Sequence, residues 1–194
     1  MASYAPKDYK HLLGLSGLSD ALFTNHFTLY EGYVKNTNTL SDRLKELSEK
    51  GEMTTPEFAE LKRRFGWEWN GMRMHELYFG NITKNANELT GGELKSKLES
   101  IYGSIENWQK NFTSTGAIRG IGWVVLAYDK ESEKLYNVWV NEHDAGHLVG
   151  TIPLLVMDVF EHAFMLDYGT KRADYIETFF RSIDWEVVEK RFAN

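Results

Sequence analysis

Apolar residues recur at helical spacing through the first part of the chain. Within residues 19–48 they fall three or four positions apart, which predicts a long amphipathic helix. In the segment GEMTTPEF, Thr54 and Glu57 form a possible capping box, and Pro56 stands where an early-helix proline is tolerated. A second helix is therefore predicted to begin there and to run to about Phe79. Two helices joined by a short polar link predict an antiparallel hairpin.

The hydrophobic pattern changes after residues 80–91, which are rich in turn-forming residues. ELKSKLESIYG and SIENWQKNF predict two further helices. GWVVLAYD and KLYNVWVNEH, separated by the polar KESE, predict a β-hairpin, and the apolar run IPLLVMDV predicts a buried third strand. The tail from about Arg172 to Phe192 is helical again. This order predicts an α+β fold: an N-terminal antiparallel helical hairpin domain (1–88), followed by a domain (89–194) of helices around a three-stranded antiparallel sheet.

Composition narrows the class of protein. Hydrophobic residues make up 42% of the 194 residues, enough for a sizeable core, and the net charge of −6 argues against a nucleic-acid partner. The absence of cysteine excludes disulfide scaffolds, zinc ribbons, iron–sulfur clusters and thiol nucleophiles. No signal-peptide pattern and no run of about 18 apolar residues is present, so we expect a soluble, cytoplasmic protein with no membrane partner.

Any metal site in this chain must use histidine, aspartate or glutamate ligands. His26 and His75 lie in the middle of the two N-terminal helices and could come level with each other in a hairpin. Asp158 and His162 are four residues apart, so one helical turn would place both on one face, where they could share an ion. Each feature also has an ordinary interpretation, because most helical histidines are core or surface residues.

The segment HDAGHLVG offers another chemistry, since it approximates the zinc-protease pattern H-E-x-x-H-x-x-G. Asp144 replaces the general-base glutamate and is one methylene shorter. Gly146 and Gly150 argue against the sustained helix that this pattern needs. A zinc hydrolase that uses His143 and His147 is therefore kept only as a third hypothesis.

Taken in order, NHFTLYEGYVKNTN, GMRMHELYF, GIGWVVLAYD, DVFEHAFMLDYGTKRADY and DWEVVEKRF resemble the iron/manganese superoxide dismutase family over nearly the whole chain. The D-x-[WF]-E-H-A segment is the most specific part. The resemblance implies dismutation of the superoxide anion to dioxygen and hydrogen peroxide at one iron or manganese ion per subunit, with iron slightly favoured. The implied ligands are His26, His75, Asp158 and His162, with one water or hydroxide.

The resemblance also implies roles around the ion. His143 lies fifteen residues before the aspartate ligand and is expected to contact the metal-bound solvent, because Gly71 stands where some members have a glutamine. Tyr33 resembles the gateway tyrosine of the family, although it follows His26 by seven residues where eight are usual. A regular helix keeps residues with this spacing on one face, so Tyr33 is expected to face the ion.

Further positions match the pocket and its entrance. Trp123 resembles an aromatic wall of the pocket. Phe79, Val125 and Phe160 stand where tryptophans are common, which predicts a less bulky wall. Arg172 matches an arginine near the access funnel, where a cation would attract superoxide.

The family's dimer interface is altered in this sequence. Leu29 and Tyr30 replace histidines and Met165 replaces a tyrosine, so a histidine–tyrosine pair that spans the interface is missing. Glu161 is retained, and the resemblance implies that it bonds His162 of the partner subunit. We expect a homodimer or a dimer of dimers. The second hypothesis for function is a metal-binding relative whose activity is lost or altered.

Overall fold

The computed structural model describes residues 3–194. Within them the chain forms seven α-helices and one three-stranded sheet, which confirms the predicted α+β class. The helices are α1 (Asp20–Glu49), α2 (Pro56–Phe79), α3 (Glu93–Tyr102), α4 (Ile105–Gly116), α5 (Met165–Tyr168), α6 (Arg172–Phe180) and α7 (Trp185–Ala193). The strands are β1 (Gly122–Asp129), β2 (Lys134–Asn141) and β3 (Ile152–Asp158).

The start of α2 differs by one residue from the prediction. Thr55 is the N-cap, and its hydroxyl accepts from the Phe58 N–H at 3.2 Å. Pro56 has no N–H and fits the first helical position, so the residue directly before it must be the cap. The capping box predicted for Thr54 and Glu57 is therefore wrong. The helix predicted to begin there is nevertheless present, and it packs along α1.

The predicted β-hairpin and third strand are confirmed as one antiparallel sheet in the order β2-β1-β3. Its register places Trp123 of β1 opposite Val140 of β2 and Asp158 of β3. The helical tail is two helices, because residues 181–184 break it. The carboxylate of Asp184 caps the second of them by accepting from the Val187 N–H.

Hydrogen bonds join the end of α2 to β3. The Asn81 amide, just beyond α2, donates to the carbonyl of Val156 at 3.1 Å and accepts from its N–H at 2.8 Å. The ring of Tyr78 stacks on Phe179 of α6 within the same hydrophobic core. These contacts hold the C-terminal half of α2 against the end of β3. None of the helices within residues 3–194 combines the length and the apolar composition that a membrane span requires.

Candidate metal centre

Four side chains from different parts of the fold converge on one point. One ligand atom from each lies within 4.8 Å of the others. The Nε2 atoms of His26 and His162 each lie 3.1 Å from Asp158 Oδ2, and His75 Nε2 lies 3.7 Å from it. The elements that carry these side chains are α1 for His26, α2 for His75, the end of β3 for Asp158, and the short 3-10 turn Glu161–Ala163 for His162.

The backbone around Asp158 fixes which of its oxygens faces the histidines. Its Oδ1 accepts from the Phe160 N–H at 2.9 Å, and its main-chain carbonyl accepts from the Tyr175 hydroxyl at 2.7 Å. The chain then turns, so that His162 returns to the same carboxylate four residues later. The predicted Asp–His pairing across one turn is therefore observed, with Oδ2 left for the histidines.

The chemistry of this donor set fits a metal cation. The Nδ1–H of His75 donates to the Gly71 carbonyl at 2.6 Å, so its Nε2 carries a lone pair that faces the carboxylate. That Nε2 is buried and has no hydrogen-bond partner among residues 3–194. A backbone bond that fixes the tautomer of an imidazole in this way is typical of metal-ligating histidine. Three imidazoles and one carboxylate suit a first-row transition metal.

Burial and charge set the protonation of the cluster. Burial would by itself raise the pKa of Asp158, but the interactions with His162 and His26 hold that pKa below its usual range. Burial lowers the pKa of His26 and lowers that of His75 further. Burial opposes protonation of His162 as well, yet the charge of Asp158, the hydrogen bond to it and the charge of Glu161 together outweigh burial and raise the His162 pKa. Two of the three imidazoles are thus neutral at pH 7, the form that binds metal.

Beside the cluster, a chain of hydrogen bonds links three predicted site residues. The indole N–H of Trp123 donates to His143 Nδ1 at 3.0 Å, so the His143 proton is on Nε2 and points to the Tyr33 hydroxyl at 2.8 Å. The Tyr33 ring stacks on His75 with centroids 5.1 Å apart. Since α1 is helical throughout between His26 and Tyr33, the seven-residue spacing places both toward the cluster, as expected.

The same geometry opposes the zinc-hydrolase hypothesis. Both ring nitrogens of His143 are engaged by Trp123 and Tyr33. His147 is exposed, and its Nε2 bonds the main-chain carbonyl of His143 at 2.9 Å. Residues 142–151 form turns and no helix, as the glycines predict, so the two histidines do not converge on a shared point.

The lowered pKa values predict how the metal-free protein responds to acid. Burial lowers the pKa of His143 to about 4, from 6.5. Between these values the unfolded chain binds more protons, so stability should fall as the pH drops from 7 to 5. His143 alone contributes on the order of 2 kcal/mol. His26 and His75 act in the same direction, and His162 opposes them. Urea unfolding at both pH values tests this; equal stability would contradict the neutral, buried imidazoles.

Trp67 is a neighbour of His143 that the sequence analysis did not single out. The two ring centroids are 4.4 Å apart, and the Trp67 indole N–H donates to Glu142 Oε2 at 3.1 Å. The rings of Trp67 and His143 therefore pack edge to face, and Trp67 is hydrogen-bonded to the residue before His143. A signal was available in the sequence, because Trp67, Gly71 and His75 follow one another at intervals of four on α2.

The Tyr33 ring packs directly against Gly71, so a larger residue at position 71 is expected to lower the stability of the protein. A Cβ on Gly71 would lie 2.6 Å from Tyr33 Cδ1. We expect Gly71→Ala to displace the ring and to lower the free energy of unfolding by about 1–3 kcal/mol. Gly66 is the matched control, because it lies in the same helix and a Cβ there meets nothing within 4 Å.

Gly66→Ala should stabilise the protein by about 0.5–1 kcal/mol, since glycine is unfavourable inside a helix. Urea unfolding of both variants makes the comparison. A Gly71→Ala protein that gains stability as Gly66→Ala does would contradict the close packing of Tyr33 on α2.

The remaining predicted pocket residues have varied surroundings. Phe160 stacks on the ring of His162 with centroids 5.2 Å apart, and Phe79 lies edge-on to His26 at 4.8 Å. Val125 lines a cavity between α2 and the sheet. The guanidinium of Arg172 donates to the carbonyls of Ile118 and Gly120, each at 2.8 Å, and so clasps the loop before β1.

The chain is similar to known proteins of one family. A family model described as iron/manganese superoxide dismutases, C-terminal domain, matches residues 89–191. The iron superoxide dismutase of Cupriavidus metallidurans is 37% identical over 92% of this chain and 90% of its own. That of Aquifex pyrophilus is 34% identical over 96% of this chain and 90% of its own. A manganese superoxide dismutase of Haloferax volcanii is 33% identical over 90% of this chain and 87% of its own. This chain belongs to the iron/manganese superoxide dismutase family.

Proposed function

We propose that the protein is a superoxide dismutase with one iron or manganese ion per subunit. The observation that carries the proposal is the buried convergence of three imidazole nitrogens and one carboxylate in a chain of this family. When bound, the ion supplies a one-electron couple: one superoxide gives up an electron and becomes dioxygen, and a second takes the electron with two protons and becomes hydrogen peroxide. The proposed ligands are His26, His75, Asp158 and His162.

Tyr33 and His143 are proposed to hold and supply protons beside the ion. The Tyr33 hydroxyl accepts from His143, which leaves its own proton free for a substrate or solvent oxygen in the pocket. Burial raises the pKa of Tyr33, so the phenol keeps its proton at neutral pH. Trp123 holds His143 in the tautomer that makes this bond, and its ring lies 5.0 Å from that of His75. Because both ring nitrogens of His143 are engaged, these contacts support a role in which His143 acts on the metal-bound solvent through the Tyr33 hydroxyl.

Elemental analysis paired with an activity assay tests the proposal. The purified protein should contain about one iron or manganese ion per chain, and superoxide consumption should follow the metal content. Relatives named for iron and relatives named for manganese are both similar to this chain. The slight preference for iron rests on the presence of a histidine at position 143. Metal-free protein reconstituted with each ion decides between them. Activity with manganese alone would refute the lean to iron, and a protein that binds only zinc would refute the proposal.

A metal-binding relative without dismutase activity is the alternative. It is favoured by the loss of the polar histidine–tyrosine pair, since Leu29 and Met165 at those positions are apolar and 42% and 46% exposed. Metal-replete protein that consumes no superoxide would establish this alternative.

A homodimer or dimer of dimers is proposed for the assembly. Leu29, Met165 and Leu166 are large apolar residues exposed on the single chain, and Glu161 is exposed beside His162, as a contact to His162 of the partner subunit requires. Sedimentation velocity measures the oligomeric state.

The proposed division of the chain into two domains after residue 88 is supported by the family model for a C-terminal domain, which begins at residue 89. The cytoplasmic location stays a prediction, which cell fractionation tests.

Arg172 is proposed to attract superoxide in a protein whose net charge is −6. The rate should fall as salt is added, because screening weakens attraction between charges. Arg172→Ala should lower the rate at low salt by about two- to tenfold, and Arg172→Lys should retain most of it. Lysine keeps the charge but loses part of the clasp on Ile118 and Gly120, so it is the control for a loosened loop. A rate indifferent to salt and to Arg172→Ala would dismiss the idea.

A further inference from the structure

One cavity of the protein is lined by none of the four converging side chains. Its volume is about 570 Å³, within the range of small-molecule sites in proteins. It is open to solvent on one side and is bordered by α2, the sheet, residues of the loop before β3, and Arg191 of α7. The floor is apolar and is formed by Val125, Val138, Val140 and Leu77. This floor suits the hydrocarbon part of a ligand.

The charges around the same cavity are unbalanced. Lys7, Arg73 and Arg191 line it, and Glu76 is the one carboxylate in the lining. Glu76 is shared, because Lys7 Nζ lies 2.8 Å and Arg73 Nη1 2.7 Å from its Oε2. The lining therefore carries an excess of two positive charges, in a protein whose net charge is −6.

Arg191 forms no salt bridge among residues 3–194, and the charge of Asp184 acts on it only from farther away. Its guanidinium donates to neutral oxygens only, the carbonyls of Leu77 at 3.0 Å and Leu154 at 2.7 Å and the side chain of Asn81 at 3.1 Å. The Leu77 carbonyl, in the last turn of α2, offers partial negative charge but no full counter-charge. Burial lowers the pKa of Arg191 to about 10, so it remains a cation at pH 7. A largely buried cation at a cavity wall favours an anionic occupant.

We propose that this cavity binds a small amphipathic carboxylate, with an aliphatic chain of medium length. The chain would lie on the valine-rich floor, and the carboxylate would accept hydrogen bonds from the cationic side, where Arg73 and Arg191 offer the planar donors that carboxylates prefer. The apolar floor alone would take a neutral molecule equally well, so the uncompensated charge is what selects an acid. The site is separate from the metal cluster, and binding there does not depend on dismutase activity.

Calorimetric titration of the metal-loaded protein with sodium decanoate tests the proposal. Decanol supplies the chain without the charge, and acetate supplies the charge without the chain. We expect saturable binding of one decanoate per chain and binding of decanol and acetate weaker by about tenfold or more, as loss of a charge-assisted hydrogen bond or of apolar contact implies. Absence of saturable decanoate binding, or equal binding of all three, would overturn the proposal.

Two arginines on α2 form a matched pair for locating the site. Arg73 lines the cavity and forms a salt bridge with Glu76, three residues away on α2. Arg63 forms a salt bridge with Glu60, also three residues away on α2, but is not among the residues that line the cavity. Arg73→Gln should weaken decanoate binding by about tenfold, and Arg63→Gln should leave it within about twofold. Equal weakening by both variants would mean that only the overall charge matters and would refute the cavity as the site.

Filling the cavity gives an independent test. Val138→Trp places an indole on the floor and should abolish decanoate binding. Retained binding would place the ligand elsewhere and contradict the proposal. If the surface is instead a contact with a second copy of the chain, decanoate will not bind and Val138→Trp will change the sedimentation coefficient. Should this variant fail to fold, the arginine pair still decides the matter.

Discussion

Replacing Asp158 with asparagine is expected to remove the metal ion and the dismutase activity together. The carboxylate is buried and is the one negative charge in the cluster, and its Oδ2 is the atom on which His26 and His162 converge. Asparagine keeps the size but loses the charge and can turn an NH₂ group toward the ion. Since disturbing an indirect partner of a metal ligand already costs 10–100-fold, we expect activity to fall by more than about 100-fold. Metal content and superoxide consumption are measured on the same sample.

Asp129→Asn is the matched control for this substitution. Asp129 ends β1 as Asp158 ends β3, but it accepts hydrogen bonds from the turn that follows, at Glu131 and Ser132. The control should retain its metal and its activity, while circular dichroism shows that both variants fold. An Asp158→Asn protein with a full complement of metal and unchanged activity would refute the proposed ligand set.

Replacing His143 with alanine is expected to lower activity by about 10–100-fold while the metal stays bound. The four proposed ligands are untouched, so the ion should remain. What is lost is the hydrogen bond that orients the Tyr33 hydroxyl, together with the ring that packs between Trp67 and Phe160. Elemental analysis shows whether the metal stays bound, and the dismutation rate shows how far the activity falls.

Two further variants distinguish orientation from packing. His143→Gln can still donate a hydrogen bond to Tyr33 and should recover part of the lost activity. His147→Ala changes the neighbouring histidine of the same loop, which is exposed and whose one side-chain hydrogen bond among residues 3–194 is to the His143 carbonyl, so it should change activity by no more than about twofold. If His143→Ala were fully active, or if His147→Ala were as impaired, the proposed role of His143 would be wrong.

Much of the fold was available from periodicity. Apolar spacing predicted a helix over 19–48, and the structure has Asp20–Glu49. Apolar runs predicted β1 and β3, which bury residues almost continuously, and the hairpin pattern predicted β2, in which Leu135 and Val140 are buried and the other residues are partly or fully exposed. The errors lie at ends and breaks, such as the cap of α2 and the interruption at residues 181–184, where single hydrogen bonds decide the boundary.

The parts of the site could be predicted from the sequence to different degrees. Spacing alone indicated that Asp158 and His162 could meet, because four residues span one turn. The approach of His26 and His75 to them depends on how α2 packs against the end of β3, and only the family resemblance supplied it. The contact of Trp67 with His143 and the seat of Tyr33 on Gly71 are details of ring packing between distant segments. The four-residue spacing places Trp67, Gly71 and His75 on one face of α2, but no local pattern encodes which ring of a distant segment each of them contacts.

Anomalous X-ray scattering from crystals of the metal-loaded protein, collected at the iron and manganese absorption edges, tests the central claim most directly. The account predicts a single ion per chain, iron or manganese, at the point where α1, α2 and the end of β3 meet. It would be contradicted by zinc alone at that point, by an ion bound elsewhere, or by any of four side chains turned away from it: His26, His75, Asp158 and His162.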